Sequence, residues 1–225
     1  MKVLAIDTAT EQCSVAVRLD DRTIEQRVLT PRGHAELLLP MVDQVMSEAG
    51  CTLADLDGLA FGRGPGAFTG VRIAVGAIQG ISLGSGLPVV GISTLAAVAQ
   101  QFTAGSGAVL VCMDARMNEV YWARFRTAEG GGVALLGEER VGSPDSVDAG
   151  DDGVVLGAGT GFRAYPALRE RMQGLRIDDT ALPRASDIAY LGELALRRGQ
   201  GVQASEAQPV YLRDQVAWVS AVQAK

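Results

Sequence analysis

The chain has 225 residues, with 26 acidic and 20 basic side chains, one histidine and three cysteines, for a formal net charge of −6. A body of this length buries about 70% of its unfolded surface and folds without staples, and the cysteines, odd in number and without Cys-x-x-Cys spacing, indicate neither a disulfide framework nor a zinc site. The acidic balance argues against this chain holding nucleic acid by itself, and a single histidine excludes any two-histidine metal site.

Met1–Ile6 meets Asp7 after too few apolar residues for a secretory signal. Val71–Leu87 is weakly polar but carries Arg72, Gln79 and several glycines, which suits a buried helix better than a membrane span. A protein of the reducing cytoplasm is expected.

In chain order, Val3–Ile6 reads as a short buried strand, and Ser14–Arg18 and Thr23–Val28 as alternating strands joined at Asp20-Asp21. A helix is predicted from His34 to Ala49, a strand at Gly58–Phe61, a helix from Phe68 to about Leu83, a strand at Val89–Ile92 and a helix opening at Ser93-Thr94. Gln101–Gly107 is small and polar, as a linker would be. The pattern then repeats: Val109–Met113 is a strand ending at Asp114, Tyr121–Arg124 follows Asp114 as Ser14–Val17 follows Asp7, and Val133–Gly137 supplies a third strand. A loop rich in Gly, Asp and Ser occupies Gly142–Gly153, before a strand at Val154–Leu156 and helices around Tyr165–Met172 and Ser186–Arg197. The prediction is an α/β protein of two duplicated βββαβαβα lobes, residues 1–102 and 103–225, whose sheets face a cleft. One irregular α/β domain is the alternative.

The run from Gly62 to Arg72 joins a buried strand to a helix through a loop almost without side chains. Its glycines permit positive φ and close approach, and a helix opening near Phe68 points its N-terminal dipole at whatever lies there. An anion, a partner protein or a ligand-free tight turn all suit that pattern. Asp7, Thr8 and Thr10 end the first strand, where they suit either a hydrated cation with nucleotide phosphates or simple capping of turn amides. Asp114 and the Gly157–Gly161 loop occupy matching strand ends in the second half. No Gly-x-x-x-x-Gly-Lys-Ser/Thr or Gly-x-Ser-x-Gly run is present, and His34 is expected to cap or flank its helix.

Helical spacing in His34–Ala49 turns Ala35, Leu38, Leu39, Val42, Val45, Met46 and Ala49 toward a sheet and leaves Leu37 and Met41 off that face. In the next helix Gly76, Gly80 and Gly84 recur every four residues as a flat strip, open to another chain or to a neighbouring helix of the same lobe.

Taken together, Ile6-Asp7-Thr8-Ala9-Thr10, His34-Ala35-Glu36-Leu37-Leu38-Leu39-Pro40, Gly64–Arg72, Asp114-Ala115-Arg116 with Glu119-Val120-Tyr121, and Pro209-Val210-Tyr211-Leu212-Arg213 resemble the TsaB (YeaZ) family of glycoprotease-related proteins over nearly the whole chain. The resemblance implies a two-lobe actin-like, Hsp70-like fold of the ribonuclease H-like kind. It implies a cytoplasmic role in making threonylcarbamoyladenosine beside the anticodon of tRNAs that read codons beginning with A. Within that family the transfer belongs to a larger paralogue, TsaD, which carries a His-x-x-x-His metal site, and TsaE is an accessory ATPase. This chain would be a noncatalytic scaffold, with no catalytic or metal-binding residue of its own.

The partners implied are a TsaD-like paralogue, a TsaE-like ATPase, a second copy when the chain is alone, and tRNA only through the complex. Homodimer and heterodimer would compete for one surface, with Leu37, Met41, Phe68, Arg72, Ile73, Gly76, Ala77, Gly80 and Gly84 as its residues. Asp7 and Thr10 are the nucleotide-binding candidates. Ala9 stands where the first phosphate loop of actin-like proteins usually has glycine, and the loop at Gly157 departs from the pattern as well. No cofactor is therefore expected to bind tightly to this chain alone, with ATP or ADP a ligand of the assembled complex. The alternative from another class is an independent hydrolase of the glycoprotease group, an ATPase or a peptidase.

Overall fold

The computed structural model describes residues 1–105 and 107–213; Ser106 and the stretch 214–225, both inside the second predicted lobe, lie outside the described residues. Two five-stranded sheets repeat one topology. In the first, β1 (Lys2–Asp7), β2 (Gln12–Leu19) and β3 (Arg22–Leu29) form an antiparallel meander, and β4 (Gly58–Gly62) and β5 (Val89–Ile92) extend it in parallel on the other side of β1, giving the order β3-β2-β1-β4-β5. In the second, β6 (Ala108–Arg116), β7 (Glu119–Thr127) and β8 (Val133–Gly142) form the meander, and β9 (Val154–Ala158) and β10 (Arg176–Asp178) the parallel extension, in the order β8-β7-β6-β9-β10. This duplicated α/β architecture agrees with the two-lobe actin-like fold expected from the sequence.

Helices α1 (His34–Ala49) and α2 (Phe68–Ser85) cover one face of the first sheet. Strand β1 explains why both faces are covered. Leu4 and Ile6 join the core beneath α1 and α2, and Val3 and Ala5 join a second core on the reverse face. That reverse face is closed by α6 (Ala185–Arg197), through Ile188, Ala189, Leu191 and Ala195. In exchange, α3 (Thr94–Gln100) sends Leu95, Val98 and Ala99 into the core of the second sheet beside Val109, Val111 and Phe125. A boundary at residue 102 thus leaves one sheet on each side while one helix crosses in each direction. The short helices α4 (Gly161–Ala164) and α5 (Pro166–Arg171) cover the other face of the second sheet, where Phe162 and Leu168 pack on Leu110 and Cys112. Between β8 and β9 the chain makes only a single 3-10 turn at Pro144–Ser146, where the first lobe has α1.

One expectation about α1 is corrected. Met41, assigned to an outward face, is 5% exposed and joins the core under α1, with Cys13 Sγ 3.7 Å from its sulfur. Leu39, assigned to the sheet, is 54% exposed. The buried stripe is His34, Leu38, Met41, Val42, Val45 and Met46, rotated from the predicted one because α1 lies across β2 and β3 rather than centrally over the sheet. Met41→Ala should therefore cost about 2–5 kcal/mol in urea unfolding. Leu39→Ala should stay within about 0.5 kcal/mol of the parent.

Candidate functional site

The glycine-rich run after β4 is built by close seating of one loop on another. A Cβ on Gly66 would lie 2.5 Å from the Ala9 carbonyl oxygen, and one on Gly70 would lie 2.0 Å from that of Thr8. The contact is hydrogen-bonded as well as tight: Ala67 N donates to the Ala9 carbonyl at 2.8 Å, and Thr8 Oγ1 donates to the Gly70 carbonyl at 2.6 Å. Arg63 N donates to Ile92, the Gly64 carbonyl accepts from Thr94 N, and the Arg63 carbonyl accepts from Val210 N. Of the three roles that suit this glycine pattern, the tight intramolecular turn accounts for these groups, and the Arg63 and Ala67 amides are spent inside the chain. Arg63 also reaches the second sheet through Glu139 on β8, at 3.2 Å.

Asp7 lies beneath this seat. It is fully buried; Oδ1 accepts from Ala9 N at 3.2 Å, and Oδ2 has no hydrogen-bond partner among the described residues. Burial pushes its carboxyl up to about 7, opposed only partly by the Ala9 amide. Thr10 is further out. Its Oγ1 accepts from Gln12 N at 3.2 Å, and its carbonyl meets His34 Nε2 at 3.0 Å. The one histidine thus opens α1 and holds the turn in place.

Between the lobes lies a cleft of about 770 Å³. Thr8–Glu11 with Gly66, Ala67, Thr69 and Gly70 form one wall, and Met113–Arg116, Thr160 and Arg163 the other, with His34–Glu36 also lining it. Thr10 lines the cleft; Asp7 does not, so the two nucleotide candidates are not brought together at its surface. Asp114 does line it, but its oxygens are engaged within the chain: Oδ1 accepts from Arg116 N at 2.9 Å and from the Tyr165 hydroxyl at 3.2 Å, and Oδ2 pairs with Arg116 Nη1 at 3.2 Å. The Gly157–Gly161 loop packs inward, since a Cβ on Gly159 would sit 2.4 Å from the Cys112 carbonyl oxygen. Thr160 Oγ1 accepts from Asp114 N and so ties the two strand ends together. Among the described residues no group of three His, Cys, Asp or Glu side chains gathers to hold a metal ion, and no helix is long and apolar enough to cross a membrane.

The other candidate surface is the outer face of α2. Around a Cβ placed at Gly76, Gly80 or Gly84 there is nothing within 4 Å. Leu83, beside the strip, is 78% exposed, and Phe68 at its head is 50% exposed. Arg72 is exposed, Ile73 and Ala77 are half-buried against the core, and Leu37 on α1 is likewise half-buried. Sequence spacing did not reveal the pairing of this face with the chain's distant end: Arg72 lies over the Phe68 ring at 3.7 Å and donates to the Tyr211 hydroxyl at 2.8 Å.

The raised pKa of Asp7 predicts a pH dependence. Because the folded protein holds this proton more tightly than the unfolded chain, stability falls as pH rises from about 4 to about 7, by about 1.4 kcal/mol per unit for one such group. Asp187, also raised to about 7 by burial, is common to parent and variant and cancels in their difference. D7N should therefore gain stability relative to the parent between pH 5 and pH 8, measured by urea unfolding at both values.

The family model described as TsaD, tRNA N6-adenosine threonylcarbamoyltransferase, matches residues 22–147. A protein of Escherichia coli K12 called tRNA threonylcarbamoyladenosine biosynthesis protein TsaB is 42% identical over 224 residues, 97% of this chain and 97% of its own length. Its namesake in Haemophilus influenzae is 36% identical over 228 residues, 97% of this chain and 96% of its own. The solved structure of YeaZ from Pseudomonas aeruginosa matches with a TM-score of 0.85 at 41% identity, covering 94% of this chain and 99% of that one. Likeness of that degree along nearly the whole sequence and fold shows that this chain belongs to the TsaB (YeaZ) family.

Proposed function

We propose that this chain serves the formation of threonylcarbamoyladenosine in tRNA as a noncatalytic scaffold, docking a TsaD-like paralogue, together with a TsaE-like ATPase, through the outer face of α2. The role in this modification rests on the relatives named for it, which match nearly the whole chain. The observation that carries the docking surface is the uncovered glycine strip. Each interior glycine costs a helix up to about 1 kcal/mol relative to alanine, and here three of them have no neighbour within this chain's described residues to require them. A helix from another chain that approaches closely supplies the missing reason.

The noncatalytic reading is supported by where the reactive groups lie. His34 is committed to the Thr10 carbonyl, Asp7 is buried, and Asp114 is bound by Arg116 and Tyr165. A net charge of −6 favours contact with tRNA through the complex rather than by this chain alone. When alone the chain pairs with a second copy through the same strip, and ATP or ADP belongs to the assembled complex. The cytoplasm is its place of work.

Gly80→Leu tests the surface, because the new side chain enters open space and leaves the fold intact. In cells whose own TsaB has been depleted, this variant should lose the threonylcarbamoyladenosine that the parent restores, read by mass spectrometry of tRNA nucleosides. Purified, it should bind the paralogue at least about tenfold more weakly by calorimetry, a loss of about 1.4 kcal/mol. Undiminished modification and binding would overturn the surface. Steady ATP or peptide hydrolysis by the purified chain would overturn the noncatalytic reading.

A further inference from the structure

The chain beyond α6 crosses both lobes. It makes an antiparallel bridge from Val202 to Val89 at the edge of β5 and then passes over α2, where Gln79 Nε2 donates to the Ala207 carbonyl at 2.9 Å. Val210 N donates to the Arg63 carbonyl at 2.7 Å, and the Tyr211 ring lies 5.3 Å from that of Phe68 while its hydroxyl accepts from Arg72. From the next residue on, the same segment belongs to the other lobe. Leu212 packs against the core of the second sheet, and Arg213 pairs with Glu119 and donates to the Ala115 carbonyl at 3.3 Å.

The place that Arg213 holds is unusual. Between Ala115 and Glu119, the turn from β6 to β7 puts three consecutive non-glycine residues in the left-handed region: Arg116 at φ 62°, Met117 at 54° and Asn118 at 62°. Such backbone persists only where its surroundings hold it. Arg213 spans it from both ends, and its Nη1 lies 3.6 Å from Met117 Sδ. Ala115 and Arg116 form part of the cleft wall. One short segment therefore touches the head of the α2 face with Tyr211 and the strained rim of the cleft with Arg213.

We propose that Ala207–Arg213 is a strap that couples occupancy of the α2 face to the rim of the interlobe cleft. The proposal rests on the reading of α2 as the docking surface. A partner seated over Phe68 and Arg72 also covers Tyr211, so it binds best when the strap is down. It thereby favours the state in which Arg213 clamps the 115–119 turn. Linkage makes the effect reciprocal: whatever steadies that turn tightens docking by the same factor.

Amide hydrogen exchange on the full chain, with and without the purified TsaD-like paralogue of the same organism, tests the strap, with affinity measured separately by calorimetry. Docking should slow exchange in peptides covering 115–121 by about fivefold or more. At saturating paralogue, Arg213→Ala should lose that slowing and bind up to about fivefold more weakly than the parent, as reciprocity requires, and Glu119→Gln, which weakens the same clamp from the opposite side, should behave alike. Slowing confined to α2, or slowing that survives both substitutions, would overturn the strap and leave the docking surface standing. If the paralogue fails to bind the parent, the docking reading falls, and the free chain decides the strap: Tyr211→Ala should speed exchange at 115–121, and unchanged exchange there would overturn it.

Discussion

Close approach of two backbones governs this molecule more than any side-chain contact. The segment Gly62–Gly70 sits on the turn that ends β1 so tightly that a methyl group at Gly66 or Gly70 would collide with a carbonyl oxygen. Everything nearby is placed by that seat. It sets where α2 begins, it roofs Asp7 and thereby raises the proton affinity of that carboxyl, and it fixes one wall of the cleft. It also holds Arg63, whose guanidinium reaches the second sheet and whose carbonyl receives the returning chain at Val210. The glycines therefore shape a joint between parts of one chain, and any effect on a ligand is indirect.

The same packing separates the two faces of α2. Its inner residues Val71, Ala74 and Ile78 are committed to the core over β1 and β4, so the helix cannot roll to bury its outer side. The outer side keeps glycines where alanine would give a more stable isolated helix. In the cleft the opposite holds. Thr8, Asp114 and Thr160 there are tied to neighbours within the chain, and a ligand would have to displace those partners to reach them.

Much of this was legible in the residues. The unbroken apolar run Val3–Ile6 is the signature of a strand covered on both faces, and the bounds of α1 and β5 follow from Gly50 and from Pro88 with Ser93. The missed strand β10 has only three residues and no alternation to detect. Pro166 opens α5 close to where the predicted Tyr165–Met172 helix begins, and the four-residue α4 before it is too short to leave a periodic signal. The face of α1 was misjudged because apolar residues crowd positions 37–42, so the true stripe depends on which strands lie beneath. Asp7 and Thr10 flank one turn, but residue type says nothing of depth: Asp7 is walled in while Thr10 meets the cleft. The stacking of Arg72, Phe68 and Tyr211 joins positions 139 apart, and no local pattern carries that information.

The exchange of α3 and α6 between the sheets also sets an order of events during synthesis. The first sheet is complete in sequence at Ile92, yet the face formed by Val3, Ala5 and Ala60 waits for Ile188 and Leu191. Roughly a hundred residues separate the end of β5 from the end of α6, and a ribosome takes about 5–20 s to add them. Throughout that interval the nascent first half carries an apolar sheet face that α6 has yet to cover, and until β6–β8 are made α3 lacks the strands it is directed at. Such a chain cannot mature lobe by lobe. That face stays uncovered until the second half arrives, so a message truncated before Ala185 would yield a product prone to aggregation rather than a smaller working protein.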